Sequence, residues 1–284
     1  MHRLFSYHGT GMMVRHTMDD APDDMEFILH AHRNYELYYF ISGTGHYIIE
    51  GTKYTLTPGC MLVMRDGEAH TTHLYGDVPY ERICINFSPE TMPLLDAEMR
   101  EIYRNRPLGK DNFFLPSGES AAYIASCMAR LCRDGKSEDY EDRARAIVTA
   151  LVLELFDLRE HQRANRGDDE KDSSSEMSGT AETVRKIIAY INENLTEIKN
   201  LDVLEQEFFF SKSYINRIFK QSTGSSVWDY IVLKRLLLAR AMLREGKQAA
   251  IVASECGFCD YSSFYRQYTR RFGTSPQKAR RKKS

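Results

Sequence analysis

A group of histidine and carboxylate residues near the start of the chain could hold a metal ion. The stretch "HAHRNYELYYF" places His30 and His32 two positions apart, with Glu36 four positions later, and His70 follows in "RDGEAH". Residues two apart on a strand point to the same face, so we expect His30 and His32 to lie side by side. Imidazole and carboxylate groups bind divalent ions such as Mn²⁺, Fe²⁺ or Zn²⁺. These four residues are therefore candidate metal ligands.

A second pattern that could do chemistry is the C-x-x-C pair Cys256 and Cys259. A structural zinc site needs four ligands, and the sequence offers no second such pair. The remaining cysteines are scattered singly, as is typical of core residues. We interpret the pair as accidental and expect reduced thiols. The sequence also lacks a phosphate-binding glycine loop and a G-x-S-x-G motif, so we expect no enzyme of those classes.

Charge is divided unevenly along the chain. The net charge is −2, but residues 181–284 carry +9 and residues 1–180 carry −11. This asymmetry predicts one module that binds a polyanion and one that does not. Two solvated surfaces of opposite sign are the simpler alternative. We find no apolar signal region and no run near the roughly 20 residues of a membrane helix, so we expect a cytoplasmic protein without membrane association.

The elements that position these residues predict an α+β protein. Short β-branched and aromatic runs separated by turn signals occupy residues 25–87, which favours a small antiparallel β-barrel. Helical periodicity follows, and its strongest stripe is Ile147, Leu151, Leu155 and Leu158. That stripe suits either the core of its own domain or a dimer interface. We therefore predict a first domain over 1–162.

The chain after this domain changes character. Residues 163–182 are charged and serine-rich, which predicts a flexible linker. Residues 183–284 show only helical patterns, which predicts an all-α domain. Two stretches in it match at an offset of 49: Ser211 with Asp260, Arg217 with Arg266, and Gly224 with Gly273. Each follows a short apolar helix, so the domain contains two helix-turn-helix units.

Helical geometry sorts the second helix of each unit into two faces. One face is apolar and suits a core. The other carries hydroxyl, amide and guanidinium groups, which read base edges in a major groove. The polar faces hold Ser213, Asn216, Arg217 and Lys220 in the first unit, and Ser262, Arg266, Thr269 and Arg270 in the second.

At this point the chain resembles the AraC/XylS-type transcription regulators over about residues 184–281. The motifs are "FFFSKSYINRIFK", "RLLLARAML" and "ASECGFCDYSSFYRQYTRRFGTSP". The resemblance implies a linking helix at about 227–244 and two recognition helices in successive major-groove segments. It implies these base-facing residues: Ser213, Asn216, Arg217, Lys220, Tyr261, Ser262, Tyr265 and Arg266.

One residue departs from the family's pattern. Glu205 stands where the first short helix usually carries a small residue such as alanine, whereas Ala253 keeps that residue in the second unit. A carboxylate at a close helix crossing is unfavourable unless it reaches water or a cation. We therefore expect the first helix-turn-helix unit to pack differently around Glu205 than the second unit does around Ala253.

Residues 25–87 resemble a cupin barrel through H-x-H-x3-E-x6-G and the later G-x2-H. The second motif is degraded, with Arg65 where cupins usually have proline. In regulators of this family the resemblance implies a sensing barrel without catalysis. We expect a pocket for a small polar effector, such as a sugar, rather than a required metal cofactor. Its candidate residues are His30, His32, Glu36, His70, Tyr38 and Arg82, with Tyr47 and His73 as further candidates.

Together these observations predict a ligand-responsive, sequence-specific DNA-binding regulator and not an enzyme. Activation is the expected mode, with double-stranded DNA, a small effector, a second copy of the chain and RNA polymerase as partners. Two alternatives stay open. One is a metal-dependent cupin enzyme with a helical appendage, and the other is a non-specific architectural DNA-binding protein.

Overall fold

The computed structural model describes residues 2–22, 27–88, 90, 95–165 and 179–280. The chain divides into an N-terminal unit, residues 1–28 with 32–176, and a C-terminal unit, residues 29–31 with 177–284. The predicted linker at 163–182 lies mostly outside the described residues, with helix at both of its ends, and stays a prediction. No described helix is long and apolar enough to cross a membrane.

In the part of the N-terminal unit that the structure describes, the strands form two antiparallel sheets. The strands are β1 His2–His8, β2 Met12–Asp19, β3 Tyr35–Ser42, β4 Gly45–Ile49, β5 Thr52–Thr55, β6 Met61–Met64, β7 His70–Leu74, β8 Tyr80–Phe87 and β9 Phe113–Phe114. The first sheet has the order β1-β2-β8-β3-β6-β9, and the second has the order β5-β4-β7. The α+β prediction with an antiparallel N-terminal domain is confirmed.

The strands begin earlier than the sequence analysis placed them. β1 and β2 form a hairpin at the edge of the first sheet, and β2 pairs with β8. Conversely, residues 27–34 form no strand apart from an isolated bridge at His30. Some of their backbone carbonyls have other partners: the Thr71 hydroxyl donates to the Phe27 carbonyl, and the Gly67 N–H donates to the His32 carbonyl at 2.8 Å.

Alternation along β3 and β8 gives each strand two buried faces. Odd-numbered residues such as Leu37 and Ile85 pack in a core with the helices, whereas even-numbered residues such as Tyr38 and Tyr80 pack in a second core with residues of the other sheet. Because side chains alternate with period two, the register places Glu36, Arg82 and Asn86 on the same face as these tyrosines. Here this face is called the inter-sheet interior.

Among the described residues, three helices pack on the first sheet: α1 Asp96–Met99, which continues as a π-helical turn Arg100–Arg104, α2 Gly118–Leu131 and α3 Tyr140–Asn165. The predicted stripe on α3 belongs to the core of its own unit. Leu151 and Leu155 are fully buried there, and Ile147 and Leu158 pack against the same cluster.

The C-terminal unit is helical. Its helices are α4 Gly179–Glu193, α5 Asp202–Phe208, α6 Lys212–Thr223, α7 Val227–Arg244, α8 Ala249–Glu255, α9 Tyr261–Phe272 and α10 Pro276–Ala279. α7 is the predicted linking helix and has the predicted bounds. It is largely buried because other helices of the unit pack around it.

Candidate DNA-binding surface and interior site

The two helix-turn-helix units, α5–α6 and α8–α9, share the same end signals. The Ser211 hydroxyl accepts from the Tyr214 N–H at 3.3 Å, and the Asp260 carboxylate accepts from the Ser263 N–H at 2.7 Å. Gly224 and Gly273 end α6 and α9 with φ of 75° and 65°. Such caps stabilise the ends of helices and define where they stop. The offset of 49 seen in the sequence is therefore a structural repeat.

Each second helix is anchored by its apolar face. Ile215 and Phe219 are buried on α6, and Phe264 and Tyr268 are buried on α9. The opposite face is accessible at six of the eight predicted base-facing positions. The exposed six are Ser213, Arg217, Lys220, Ser262, Tyr265 and Arg266.

The other two predicted readers, Asn216 and Tyr261, are half-buried and already hydrogen-bonded. The Asn216 amide oxygen accepts from the Val227 N–H at 3.3 Å, at the start of α7. The Tyr261 hydroxyl accepts from the Gln277 side-chain amide. A two-bond contact of Asn216 with adenine would require its oxygen to leave Val227. The exposed arginines have greater freedom to reach a base.

Arg235 of α7 ties the C-terminal unit together, although the sequence analysis did not single it out. It is only 2% exposed. Its guanidinium donates to the carbonyls of Leu195 at 2.8 Å, Ile198 at 2.5 Å and Gly257 at 2.7 Å. Burial lowers its pKa below the ordinary value. The signal in the sequence was the position of Arg235 within the largely apolar stretch "KRLLLARAML", where a buried charged side chain needs hydrogen-bond partners.

Gly257 occupies the turn of the second helix-turn-helix unit. We expect Gly257→Ala to destabilise the C-terminal unit by more than about 1–2 kcal/mol. Its φ of +79° is unfavourable for alanine, and an added Cβ would lie 2.5 Å from the Thr196 carbonyl oxygen. Gly273→Ala is the matched control, because Gly273 has φ +65° and open space around the new atom. Thermal unfolding followed by the fluorescence of Trp228 on α7 measures both. Equal losses would contradict the steric part of this prediction.

Glu205 is accommodated without burial. Its side chain is 45% exposed, and one carboxylate oxygen lies 3.9 Å from the Lys212 ammonium. The carboxylate therefore reaches both water and a cation, which removes the penalty raised in the sequence analysis.

The C-x-x-C pair is divided between the core and the surface. Cys256 is buried and Cys259 is exposed, and both are free thiols. Burial raises the pKa of the Cys256 thiol to about 12, whereas a metal or redox site needs the thiolate. Neither cysteine joins a cluster of metal-ligating groups among the described residues.

In the N-terminal unit, three of the four candidate metal ligands come together. His32, Glu36 and His70 place one donor atom each within 4.8 Å of the others. The His32 Nε2 lies 2.6 Å from a Glu36 oxygen, and the His70 Nε2 lies 3.8 Å from the same oxygen. Here these three residues are called the triad. His30 does not belong to it, and its segment 29–31 falls in the other unit.

Asn86, which the sequence analysis did not identify, completes the surroundings of the triad. It lies opposite Glu36 in the β3–β8 register and donates to the Glu36 carboxylate at 2.7 Å. Burial alone would lower the pKa of His32, but its hydrogen bond with Glu36 and the charge of that carboxylate raise this pKa above its ordinary value. Side chains on a strand alternate between its two faces, so Arg82, Cys84 and Asn86 share one face of β8. This spacing was the signal in the sequence that could have identified Asn86.

The inter-sheet interior continues from the triad as a polar, aromatic surface. The Tyr38 and Tyr80 hydroxyls are hydrogen-bonded at 2.6 Å, and the Arg82 guanidinium lies 4.3 Å from the centre of the Tyr80 ring. Tyr47 stacks near His70. The predicted residues Tyr38 and Arg82 therefore share this interior with the triad. His73, the further candidate on β7, is exposed instead.

A buried ion pair lies close to the triad. Glu68 and Arg106 form two hydrogen bonds of 2.7 Å, and their side chains are 0% and 1% exposed. The Glu68 carboxylate also accepts from the Gly109 N–H, and the Glu68 carbonyl accepts from Nδ1 of His70. Burial alone would raise the pKa of Glu68, but the contacts with Arg106 hold it below the ordinary value.

Comparison with known proteins places both units in one family. Residues 19–156 match the model of an AraC-like ligand binding domain, and residues 204–282 match that of a helix-turn-helix domain. The chain is 23% identical over 295 residues to the HTH-type transcriptional activator RhaS of Escherichia coli O81, covering 95% of this chain and 97% of that protein. RhaS of Escherichia coli O139:H28 is also 23% identical, over 287 residues.

Among solved structures, ToxT from Vibrio cholerae is similar with 12% identity and a TM-score of 0.41, covering 95% of this chain and 97% of that one. The matched domains and the two helix-turn-helix units define a ligand-binding transcription regulator that binds DNA. The chain belongs to the AraC/XylS-type family of transcription regulators.

Proposed function

We propose that the chain is a sequence-specific transcriptional activator whose two recognition helices read adjacent segments of one operator. The observation that carries this proposal is the repeat: exposed Arg217 and Arg266 occupy the same position on two helices that each begin at a side-chain N-cap and end at a glycine. Arginine binds guanine through two hydrogen bonds. The full set of proposed base contacts is Ser213, Asn216, Arg217, Lys220, Tyr261, Ser262, Tyr265 and Arg266.

The proposal extends to partners. Similarity to proteins named as transcriptional activators supports activation, with RNA polymerase as a partner at the promoter. We propose that the chain acts as a homodimer. We also propose that it works in the cytoplasm, where it would meet its target DNA, and that it is not an enzyme. A 163–182 linker would join a sensing domain over 1–162 to a DNA-binding domain over 183–284.

We further propose that the N-terminal unit binds a small polar effector in its inter-sheet interior. Hydroxyl, guanidinium, imidazole and carboxylate groups converge there among aromatic rings, an arrangement suited to a hydrogen-bonding ligand such as a sugar. The effector shifts the balance between two arrangements of the regulator only by its differential affinity for them. The proposed contacts are His32, Glu36, His70, Tyr38 and Arg82. His30, the sixth candidate of the sequence analysis, is exposed and its segment falls in the other unit, so it is not among them.

For DNA recognition, we expect Arg266→Ala to weaken binding to the selected operator by about 1–3 kcal/mol, or about 5- to 150-fold. The loss should be confined to one base pair, because the guanidinium reads a single guanine. Operator selection from a random DNA pool with the full chain, followed by titration of single-base variants, measures both quantities. Arg217→Ala should show the same loss at a base pair in the other segment.

Arg270→Ala is the contrasting variant, since Arg270 lies exposed on the same helix α9 and outside the base-facing set. It should weaken binding to all sequences alike and reduce the salt dependence by about one charge. If Arg266→Ala behaved like Arg270→Ala, or if no sequence were enriched from the pool, the chain would be a non-specific DNA-binding protein.

A further inference from the structure

We propose that the N-terminal unit contains a second ligand site, which binds a small organic anion between the end of α2 and the start of α3. A cavity of about 310 Å³ lies there, at the lower end of the size range of small-molecule sites, about 300–1,000 Å³. Its wall includes Arg130, Arg133 and Arg143. This inference goes beyond the effector proposed for the inter-sheet interior and does not depend on it.

The cavity and the inter-sheet interior lie on opposite sides of the first sheet. Leu131, Tyr140 and Ala144 line the cavity and belong to the core that the helices form with residues such as Leu37. The interior is built on the other core, which contains Tyr38. Because Leu37 and Tyr38 are neighbours on β3, their side chains point to opposite faces of that strand. A ligand in one site therefore does not contact the other.

The charge of the lining favours an anion. Its three arginines stand against one carboxylate, that of Asp134, although residues 1–180 as a whole carry −11. Arg130 and Arg133 form no hydrogen bond or ion pair with the residues that the structure describes, whereas Arg143 lies 3.3 Å from an Asp139 oxygen. Guanidinium groups bind carboxylates and phosphates through paired, charge-assisted hydrogen bonds. Two arginines of the cavity are therefore available to an incoming anion.

The rest of the lining is largely apolar. Leu131 and Ala144 are buried, and Ile147 packs against the same core. The Tyr140 hydroxyl donates to the Leu131 carbonyl at 2.6 Å, so this polar group is already paired and the ring adds to the apolar surface. Burial of apolar ligand surface contributes to affinity, and the arginines supply the contact with the anion. The ligand is therefore a carboxylate or a phosphate ester with an aromatic or aliphatic body, rather than an inorganic anion.

A ligand in this cavity links α2 to α3. Arg130 and Leu131 lie in the last turn of α2, and the lining residues from Tyr140 to Ile147 lie in the first turns of α3. α3 continues to Asn165, at the start of the predicted linker. Because a ligand that binds only the folded arrangement stabilises it, occupancy fixes the packing of the helix that leads to the linker. The cavity is in this way a second input to the regulator.

The test is calorimetric titration of the full chain with phenyl phosphate, benzoate and inorganic phosphate at constant ionic strength. We expect one site per chain for an aromatic anion, with inorganic phosphate at least about 10-fold weaker because it has no apolar body to bury. The tighter of the two aromatic probes identifies the anionic group. Arg130→Gln and Arg133→Gln should each weaken binding by about 10-fold or more, since each removes a hydrogen bond between charged groups.

Ala146→Phe tests the cavity itself, because Ala146 is an exposed residue of the lining. The larger side chain should block the aromatic probes without removing an arginine. Arg100→Gln is the matched control, since Arg100 is exposed and lies outside the lining, and Glu36→Gln is the control for binding in the inter-sheet interior. Both should keep the parent affinity. Circular dichroism establishes that each variant is folded.

Absence of binding for both aromatic anions overturns the proposal, and so does equal affinity for inorganic phosphate and phenyl phosphate. Unchanged affinity in the double variant Arg130→Gln with Arg133→Gln, or a loss caused by Glu36→Gln, would place the anion elsewhere and overturn it as well. DNA binding is a separate measurement, and its failure would overturn only the proposed DNA recognition.

Discussion

Replacing Arg106 with methionine is expected to destabilise the N-terminal unit by about 3–5 kcal/mol. The substitution leaves the Glu68 carboxylate buried without its cation, and both side chains are almost fully inaccessible. The Arg106 guanidinium also donates to the carbonyls of Ile102 and Lys110. Both carbonyls lose this donor, although the Ile102 carbonyl still accepts from the Arg159 guanidinium at 3.3 Å, so the loss exceeds that of an isolated pair at the surface.

Arg100→Met is the matched control for this prediction. Arg100 forms an ion pair with Asp96 at 2.8 Å, but their side chains are 52% and 67% exposed. Exposed pairs of this kind contribute about 0–1 kcal/mol. Denaturant unfolding, with hydrogen exchange of β6 and of the segment 104–112, localises the effect to the N-terminal unit. Similar losses for Arg106→Met and Arg100→Met would show that the buried pair is not strongly coupled.

The double variant Glu68→Gln with Arg106→Met tests the pair itself. We expect it to lose much less stability than the sum of the two single variants, because each single change already breaks the same contact. Additive losses would show that the surrounding backbone contacts, and not the ion pair, stabilise this region.

Replacing Arg235 with methionine is expected to destabilise the C-terminal unit by about 3 kcal/mol or more. The carbonyls of Leu195, Ile198 and Gly257 all accept from this guanidinium, and the contact with Ile198 is buried while the other two are partly buried. Each buried acceptor left without a donor destabilises the fold by about 1–3 kcal/mol. Methionine preserves much of the apolar packing, so the loss reports the hydrogen bonds.

Trp228 makes this measurement specific. It is the only tryptophan of the chain and lies on α7, so its fluorescence midpoint reports the C-terminal unit. Arg235→Lys should recover only part of the loss, since one ammonium does not reproduce the fork of donors of a guanidinium. Arg270→Met, at an exposed position of α9, should change the midpoint little. A comparable shift for Arg270→Met would contradict the role given to Arg235.

The specificity of DNA binding is also expected to depend on the hydrogen bonds of Arg235. Arg235 connects the turn of the second helix-turn-helix unit, at Gly257, with the segment after α4. Its loss therefore loosens the support of α9 without touching the exposed reading face. Loss of folding and loss of specificity in the folded protein can be separated by measuring operator affinity well below the unfolding midpoint and again near it.

The sequence predicted the C-terminal unit in more detail than the N-terminal one. Helix caps, glycine positions and apolar stripes are local signals, and α7 has the bounds that the family resemblance implied. Pairing of distant strands leaves a weaker local signal. Within the span 25–87 that was predicted to hold strands, residues 27–34 therefore form only an isolated bridge at His30, whereas β1 and β2 were not predicted.

By itself, the sequence determined the two-part organisation, the repeat with its offset of 49 and the polar faces of α6 and α9. These features depend on the spacing of residues along one helix. Only the tertiary structure decided that the triad contains His70 but excludes His30, that Asn86 supports Glu36, and that Arg235 links three backbone carbonyls. Strand register and helix packing bring these residues together from distant parts of the chain, for example across 50 positions between Glu36 and Asn86 and 40 positions between Arg235 and Leu195. No local pattern encodes that proximity.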